Sequence, residues 1–257
     1  MHHLRQIWYI ALNGFERRYA GLKLGLVWVV VQPLILFSVF YLVTTRGLKL
    51  DTGGDQAPFY AVLFCGLVPW MTASGTVAQS ANLLFAQRHL IQSQTVAPVF
   101  LPFSLVVEKV LIQFVLLAIV VGILAANDVL AGWSVVAVAY FTVCLAALAL
   151  AAALIVSLAG ASGSDVSEAV GSLTIVWFWG TPIVWSPAIM PEGIRQWLAL
   201  NPLYYVVEGY RGALLYGDPF AGGITGALVF WGTVLVLVCI GIMIYRIADM
   251  WLREWIN

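Results

Sequence analysis

The side chains able to do chemistry in this 257-residue chain are few and scattered. Twelve acidic residues, twelve Lys and Arg and three His are spread too thinly to form a reaction centre by spacing. His2, His3 and His89 make no metal-ligand set. Cys65, Cys144 and Cys239 stand singly inside apolar runs with no CxxC spacing, as small buried side chains do. No Gly-x-x-x-x-Gly-Lys-Ser/Thr loop occurs, so the chain has no recognisable nucleotide-binding loop of its own. Asp51 and Asp55 are a close acidic pair in a Gly-rich loop. They are what a membrane enzyme acting on lipid-linked sugars would use for metal or base chemistry. No residue is assigned a catalytic role and no metal is expected.

Aromatic rings dominate instead: eleven Trp, ten Tyr and thirteen Phe. Trp28, Trp70, Trp133, Trp251 and Trp255 stand near the ends of apolar runs, where indoles anchor at a membrane interface. Trp177, Phe178, Trp179 and Trp185 are packed more densely than anchoring requires. Such a patch offers sugar C–H groups many weak contacts; plain helix packing is the alternative. Glu208 and Arg211 are three apart on an expected short helix. They can pair near the membrane surface, either at a gate or as a local salt bridge.

The elements that position these groups follow from composition. The chain is 62% apolar and only 9% charged, with mean hydropathy +0.97. A soluble domain carries roughly a quarter charged residues, so the missing polar surface must face lipid. Zero net charge gives no basic surface for nucleic acid. Amides in lipid must bond within their own segment, which makes the long apolar runs helices. Six spans are expected: Leu26–Thr45, Phe59–Gln79, Leu105–Ala126, Trp133–Leu158, Val170–Trp185 and Ile224–Tyr245. The fifth is shortest, ends at Thr181-Pro182, and reads as a broken or half-length span. The chain reads as one all-α transmembrane domain over residues 1–257. Residues 1–24 hold an amphipathic interface helix, with Leu4, Ile7, Trp8, Ala11 and Phe15 on one face. Residues 80–104 form a link with one short helix, stopped by Pro98 and Pro102. Residues 186–223 hold two short pieces, Ile194–Leu200 and Leu203–Tyr216, too apolar for free loops and too short to span, hence re-entrant. Lys and Arg accumulate on the side of the termini, which places both termini in the cytoplasm and the chain, multi-pass, in the cytoplasmic (inner) membrane. The spans are almost free of charge, which argues against an ion-coupled transporter.

Arg17-Arg18-Tyr19, Leu24-Gly25, Trp28 and Gln32-Pro33 occur in that order, followed by Gly66-Leu67-Val68-Pro69-Trp70. Asn82-Leu83, Pro98, Leu101-Pro102, and Asn201-Pro202 with Glu208 and Arg211 come next. This series resembles the permease subunits of type-2 ABC exporters, in the branch that exports O-antigen, capsular polysaccharide and teichoic acid. The chain departs from the family in the fourth loop, where Ser164-Asp165 stands in place of a basic–acidic pair.

The resemblance implies a homodimer bound to two copies of a separate ATPase, which would hold the ATP and magnesium; this chain would carry no cofactor. A lipid-linked polysaccharide would move through a channel formed largely by the first and fifth spans of both copies, surrounded by membrane lipids. Gln32, Phe37, Tyr41, Trp177, Trp179 and Trp185 are the expected path residues. Tyr204, Tyr205, Glu208 and Arg211 are the expected external gate, and Arg17, Arg18, Gln87, Arg88 and His89 the expected ATPase-docking surface. A type-2 ABC permease for a drug or a lipid, and a structural assembly subunit, remain as other readings.

Overall fold

The architecture is that of a computed structural model, which describes residues 27–47, 57–92, 97–131, 134–161, 163, 165–187, 190–218, 220 and 222–255. The expected interface helix with Arg17 and Arg18, and the pair Asp51 and Asp55, lie outside the described residues.

Among the described residues ten α-helices follow one another: α1 Val27–Tyr41, α2 Phe59–Ser80, α3 Leu83–Ala86, α4 Arg88–Gln92, α5 Phe100–Ala126, α6 Val135–Gly160, α7 Asp165–Trp179, α8 Glu192–Leu198, α9 Pro202–Arg211 and α10 Gly223–Trp255. Among the described residues there is no strand. α1 continues as a π-helical stretch to Gly47, and α9 as another to Tyr216, closed by left-handed Gly217 (φ 64°). Five of these helical stretches are long and apolar enough to cross a membrane: Val27–Gly47, α2, α5, α6 and Gly223–Ala248 within α10.

Hydroxyls inside these helices close onto their own backbone rather than facing lipid. Ser74, Thr76, Ser80 and Thr142 each donate to the carbonyl four residues earlier at 2.7–2.8 Å. α2 and α6 form the centre of the bundle, with α5 and α9 packed on both and α10 laid along α6. Small side chains in α6, among them buried Ala149, Ala151 and Ala153, let its neighbours come close. The closest approaches need glycine. A Cβ on Gly160 would stand 1.8 Å from the Ala81 carbonyl oxygen in the turn after α2. One on Gly241 would stand 2.7 Å from Leu154 Cβ.

Several expected boundaries change. The fifth apolar run is expected at Val170–Trp185, yet α7 spans Asp165–Trp179. Asp165 and Glu168, expected in a loop, occupy its first turn, where carboxylates favour a helix N-terminus. At 15 residues, α7 is about 22 Å long against a hydrocarbon core of about 30 Å. α5 begins at Phe100, five residues early. Pro102 lies in its first turn, where a missing N–H costs nothing, so it does not stop the preceding segment. The link after α2 forms two helical turns, α3 and α4, rather than one helix. α10 runs ten residues past the expected Tyr245. Nor are the spans almost free of charge: Glu108 and Lys109 are buried in α5.

Gly160→Ala should therefore force α6 away from the α2 turn, at an overpacking cost of about 1–3 kcal/mol. Gly122→Ala, where nothing lies within 4 Å, should be neutral or stabilising by about 0.5–1 kcal/mol. Thermal unfolding of the two purified variants in the same detergent checks the contrast.

Candidate functional site

α9 is the element around which the polar groups gather, and its start is set by local chemistry. Asn201 Oδ1 accepts from the Leu203 N–H at 3.1 Å as an N-cap, and Pro202 occupies the first helical position, where its fixed φ suits a helix. The same side chain reaches the end of α7. Asn201 Nδ2 donates to Thr181 Oγ1 at 2.8 Å and to the Gly180 carbonyl at 3.3 Å, while Trp177 Nε1 donates to Asn201 Oδ1 at 3.3 Å. Thr181 Oγ1 donates back to the Trp177 carbonyl at 2.8 Å. The ragged C-terminal end of a short helix is thus tied to the N-terminal end of another.

At the far end of α9, Arg211 does not lie at the surface, as expected for its pair with Glu208. Its side chain is 3% exposed and its donors go in three directions. Nε donates to the Val62 carbonyl of α2 at 3.1 Å, and Nη2 to the Ile183 carbonyl after α7 at 3.0 Å. Nη1 donates to Glu208 Oε1 at 2.7 Å, a carboxylate 30% exposed. Gly66 leaves the room: a Cβ there would come 3.1 Å from Arg211 Nη2 and 3.3 Å from the Ile183 side chain.

Between these ends, Gly209 and Tyr210 fix α9 against the bundle. A Cβ on Gly209 would lie 2.1 Å from the Phe141 ring. The fully buried Tyr210 hydroxyl accepts from Gln113 Nε2 of α5 and shares a 2.7 Å hydrogen bond with Thr142 of α6. Tyr205 stacks on Phe230 with ring centroids 5.1 Å apart. Its hydroxyl shares a 3.1 Å hydrogen bond with Tyr140, which also accepts from Trp231 Nε1. Burial, with Glu208 adding to it, pushes the half-buried Tyr204 phenol above its ordinary value, so it stays protonated as a donor.

The expected path residues are not gathered in one place within the protomer. Phe37 is buried, 4.8 Å from the Phe64 ring of α2, whereas Gln32 and Tyr41 are exposed; Tyr41 meets Tyr60 edge-on at 5.5 Å. Trp177 is half-buried, edge-on to Trp70 at 5.4 Å. Trp179 is 61% exposed, and its carbonyl accepts from Trp185 Nε1 at 3.1 Å. Both groups thus lean on α2. Of the expected docking residues, Gln87 is half-buried between α3 and α4, while Arg88 and His89 are exposed, with the Arg88 guanidinium 5.1 Å above the Phe85 ring. Asn82 Oδ1, at the head of α3, accepts from Ser167 of α7 at 3.0 Å. Among the described residues no cluster of three or more His, Cys, Asp or Glu forms.

Gly66, Gly209, Tyr210, Gln113 and Thr142 escape a sequence reading of roles, because each acts through a partner distant in sequence. Asn201-Pro202 was detectable as a cap signal.

Arg211→Lys should not rescue what Arg211→Gln loses, since an ammonium cannot serve three acceptors in the planar spread of a guanidinium. Both should lower stability by about 3 kcal/mol, the scale of lost charge-assisted hydrogen bonds. Glu208→Gln should cost only about 1 kcal/mol, because that carboxylate is partly exposed. Detergent-solubilised melting curves of the three variants give the order.

The family model described as ABC-2 type transporter matches residues 5–215. The O-antigen export system permease protein RfbA of Myxococcus xanthus is 29% identical over 206 residues, covering 78% of this chain and 76% of that protein. The protein of the same name from Klebsiella pneumoniae is 23% identical over 249 residues, covering 94% of this chain and 93% of its own length.

Proposed function

The chain belongs to the ABC-2 type transporter family, and from that premise we propose that it is the channel-forming membrane subunit of an ATP-driven exporter of a lipid-linked polysaccharide, of the O-antigen, capsule or teichoic acid type. Two relatives named as O-antigen export permeases, one matched over nearly its full length, support the cargo class over a drug or a lipid. ATP hydrolysis, with its magnesium, falls to a separate ATPase, in keeping with the missing phosphate loop. The working unit is a homodimer with two ATPase copies in the cytoplasmic membrane, both termini on the cytoplasmic side.

The observation that carries the conduit is the outward face of α7. Glu168, Ser172, Ile175 and Trp179 recur at helical spacing and all are exposed. A helix too short to span, with a carboxylate and a hydroxyl on its open face, is unsuited to lipid. Such an element is tolerated at membrane depth where it lines a water-filled cavity or meets more protein. A second copy facing α7, with exposed Gln32 and Tyr41 of α1, supplies both. Trp179 and Trp185 then offer ring faces over which a glycan slides through many weak contacts. Tyr204, Tyr205, Glu208 and Arg211 close the outer end, positioned by the contacts of α9.

The exposed Arg88 and His89, with Arg17 and Arg18, form the docking surface for the ATPase. From there the Asn82–Ser167 hydrogen bond leads to α7, and Asn201 leads from α7 to α9.

Removing the chain from its cell should leave polymer lipid-linked and inside, with none at the surface; immunoblotting of fractionated envelope material checks this, and normal surface polymer would overturn the reading. Trp179→Ala should reduce surface polymer severalfold at unchanged protein level, because the exposed ring is not needed for folding. A paired Arg88→Glu, His89→Glu variant should lose ATPase co-purification or uncouple hydrolysis from export, measured by pull-down and phosphate release.

A further inference from the structure

A crevice of about 380 Å³ lies between α9 and the first turns of α10, and Tyr204, Tyr205 and Glu208 of the proposed outer gate form one of its walls. Its apolar wall includes Leu200, Val229 and Phe230, and its polar wall Tyr204, Glu208 and Thr225. The back is built by close packing: a Cβ on Gly222 or Gly226 would come 3.2 Å from the Tyr205 ring, and glycine leaves that ring its place.

The side of α10 that borders the opening carries exposed apolar side chains. Ile224, Leu228 and Leu235 are 80%, 70% and 63% exposed, and Val229 of the lining is 41% exposed. Glu208 stands three residues before Arg211, which bonds the first turn of α2 at Val62. Thr225 belongs to the first turn of α10, whereas Phe230 and Thr233 lie deeper along it. The crevice therefore sets a carboxylate and hydroxyls beside apolar side chains, the amphipathic character of a lipid site.

We propose that this crevice is a binding site for a membrane phospholipid whose headgroup carries an amine. The acyl chain lies along Val229 and Phe230, and the ammonium meets Glu208 with the Tyr204 hydroxyl beside it. A carboxylate accepts more hydrogen bonds than the one that Arg211 donates, so Glu208 serves both partners. A bare acyl chain would leave the remaining acceptor capacity of Glu208 unused, and an anionic headgroup would meet a carboxylate.

The test uses the full-length chain in nanodiscs of equal phosphatidylethanolamine and phosphatidylglycerol, with retained lipid read by native mass spectrometry. The wild-type chain should retain phosphatidylethanolamine about threefold over phosphatidylglycerol, as suits a partly exposed ion pair. Thr225→Trp, which fills the crevice from an exposed position without touching Arg211, should lose the retained lipid while keeping its melting temperature. Glu208→Gln should still retain lipid but lose the headgroup preference. Equal retention of both lipids by the wild type overturns the ammonium assignment, as does an undiminished preference in folded Glu208→Gln. Wild-type retention in Thr225→Trp, or displacement of the lipid by a neutral oligosaccharide, overturns the site. If Glu208→Gln fails to fold, the wild-type ratio and Thr225→Trp decide.

Discussion

A guanidinium shut away from water in a chain that is 62% apolar must find oxygen atoms at fixed positions, and Arg211 finds them on three separate segments. Desolvating that charge is favourable only if every donor direction is used, so the side chain dictates geometry as much as it adds stability. The Val62 carbonyl locates α2, the Ile183 carbonyl locates the irregular stretch after α7, and Glu208 keeps α9 helical beneath it. Gly66 is small because the guanidinium passes over it. Asn201 repeats the logic with neutral groups at the opposite end of α9, so this ten-residue helix is held at both ends against the same broken element.

Those two fixings make the irregular backbone after α7 admissible. A chain leaving helical geometry within a membrane exposes amides that lipid cannot satisfy. Here the Gly180 carbonyl is met by Asn201 and the Ile183 carbonyl by Arg211. Tyr210 then joins α9 to α5 and α6 through Gln113 and Thr142, so a disturbance of α9 reaches the centre of the bundle. The aromatic face of α7 owes its position to this arrangement, since Trp177 is one of the groups that Asn201 holds.

Long apolar runs made α1, α2, α5, α6 and α10 legible, because lipid imposes hydropathy and length directly on sequence. α7 was half-legible. Its weakness as a span showed in its length and in Thr181-Pro182, but its start did not, because Asp165 and Glu168 look like loop residues until the helix dipole accounts for them. Buried Glu108 and Lys109 were hidden for the opposite reason: a generally apolar window masks single charges that tertiary contacts can accept. The residues that fix α9 were only partly readable. Asn201-Pro202 carries a local signal, whereas Gly209 and Gln113 are meaningful only through Phe141 and Tyr210, far along the chain. Spacing brought out Trp177 and Trp179 as a cluster, yet burial separates them, one half-buried against Trp70 and the other open.

The shortness of α7 bears on how the protein is made. A segment of about 22 Å that starts with Asp165, Ser167 and Glu168 is a poor substrate for insertion by itself, since a carboxylate deep in the bilayer costs several kcal/mol. Its partners at Asn201 and Arg211 are synthesised only after α7 itself. The placement of α7 therefore depends on the arrival of α9 more than on its own hydrophobicity. A nascent chain halted before residue 201 would hold four of the five long apolar helices with α7 still uncommitted between water and lipid.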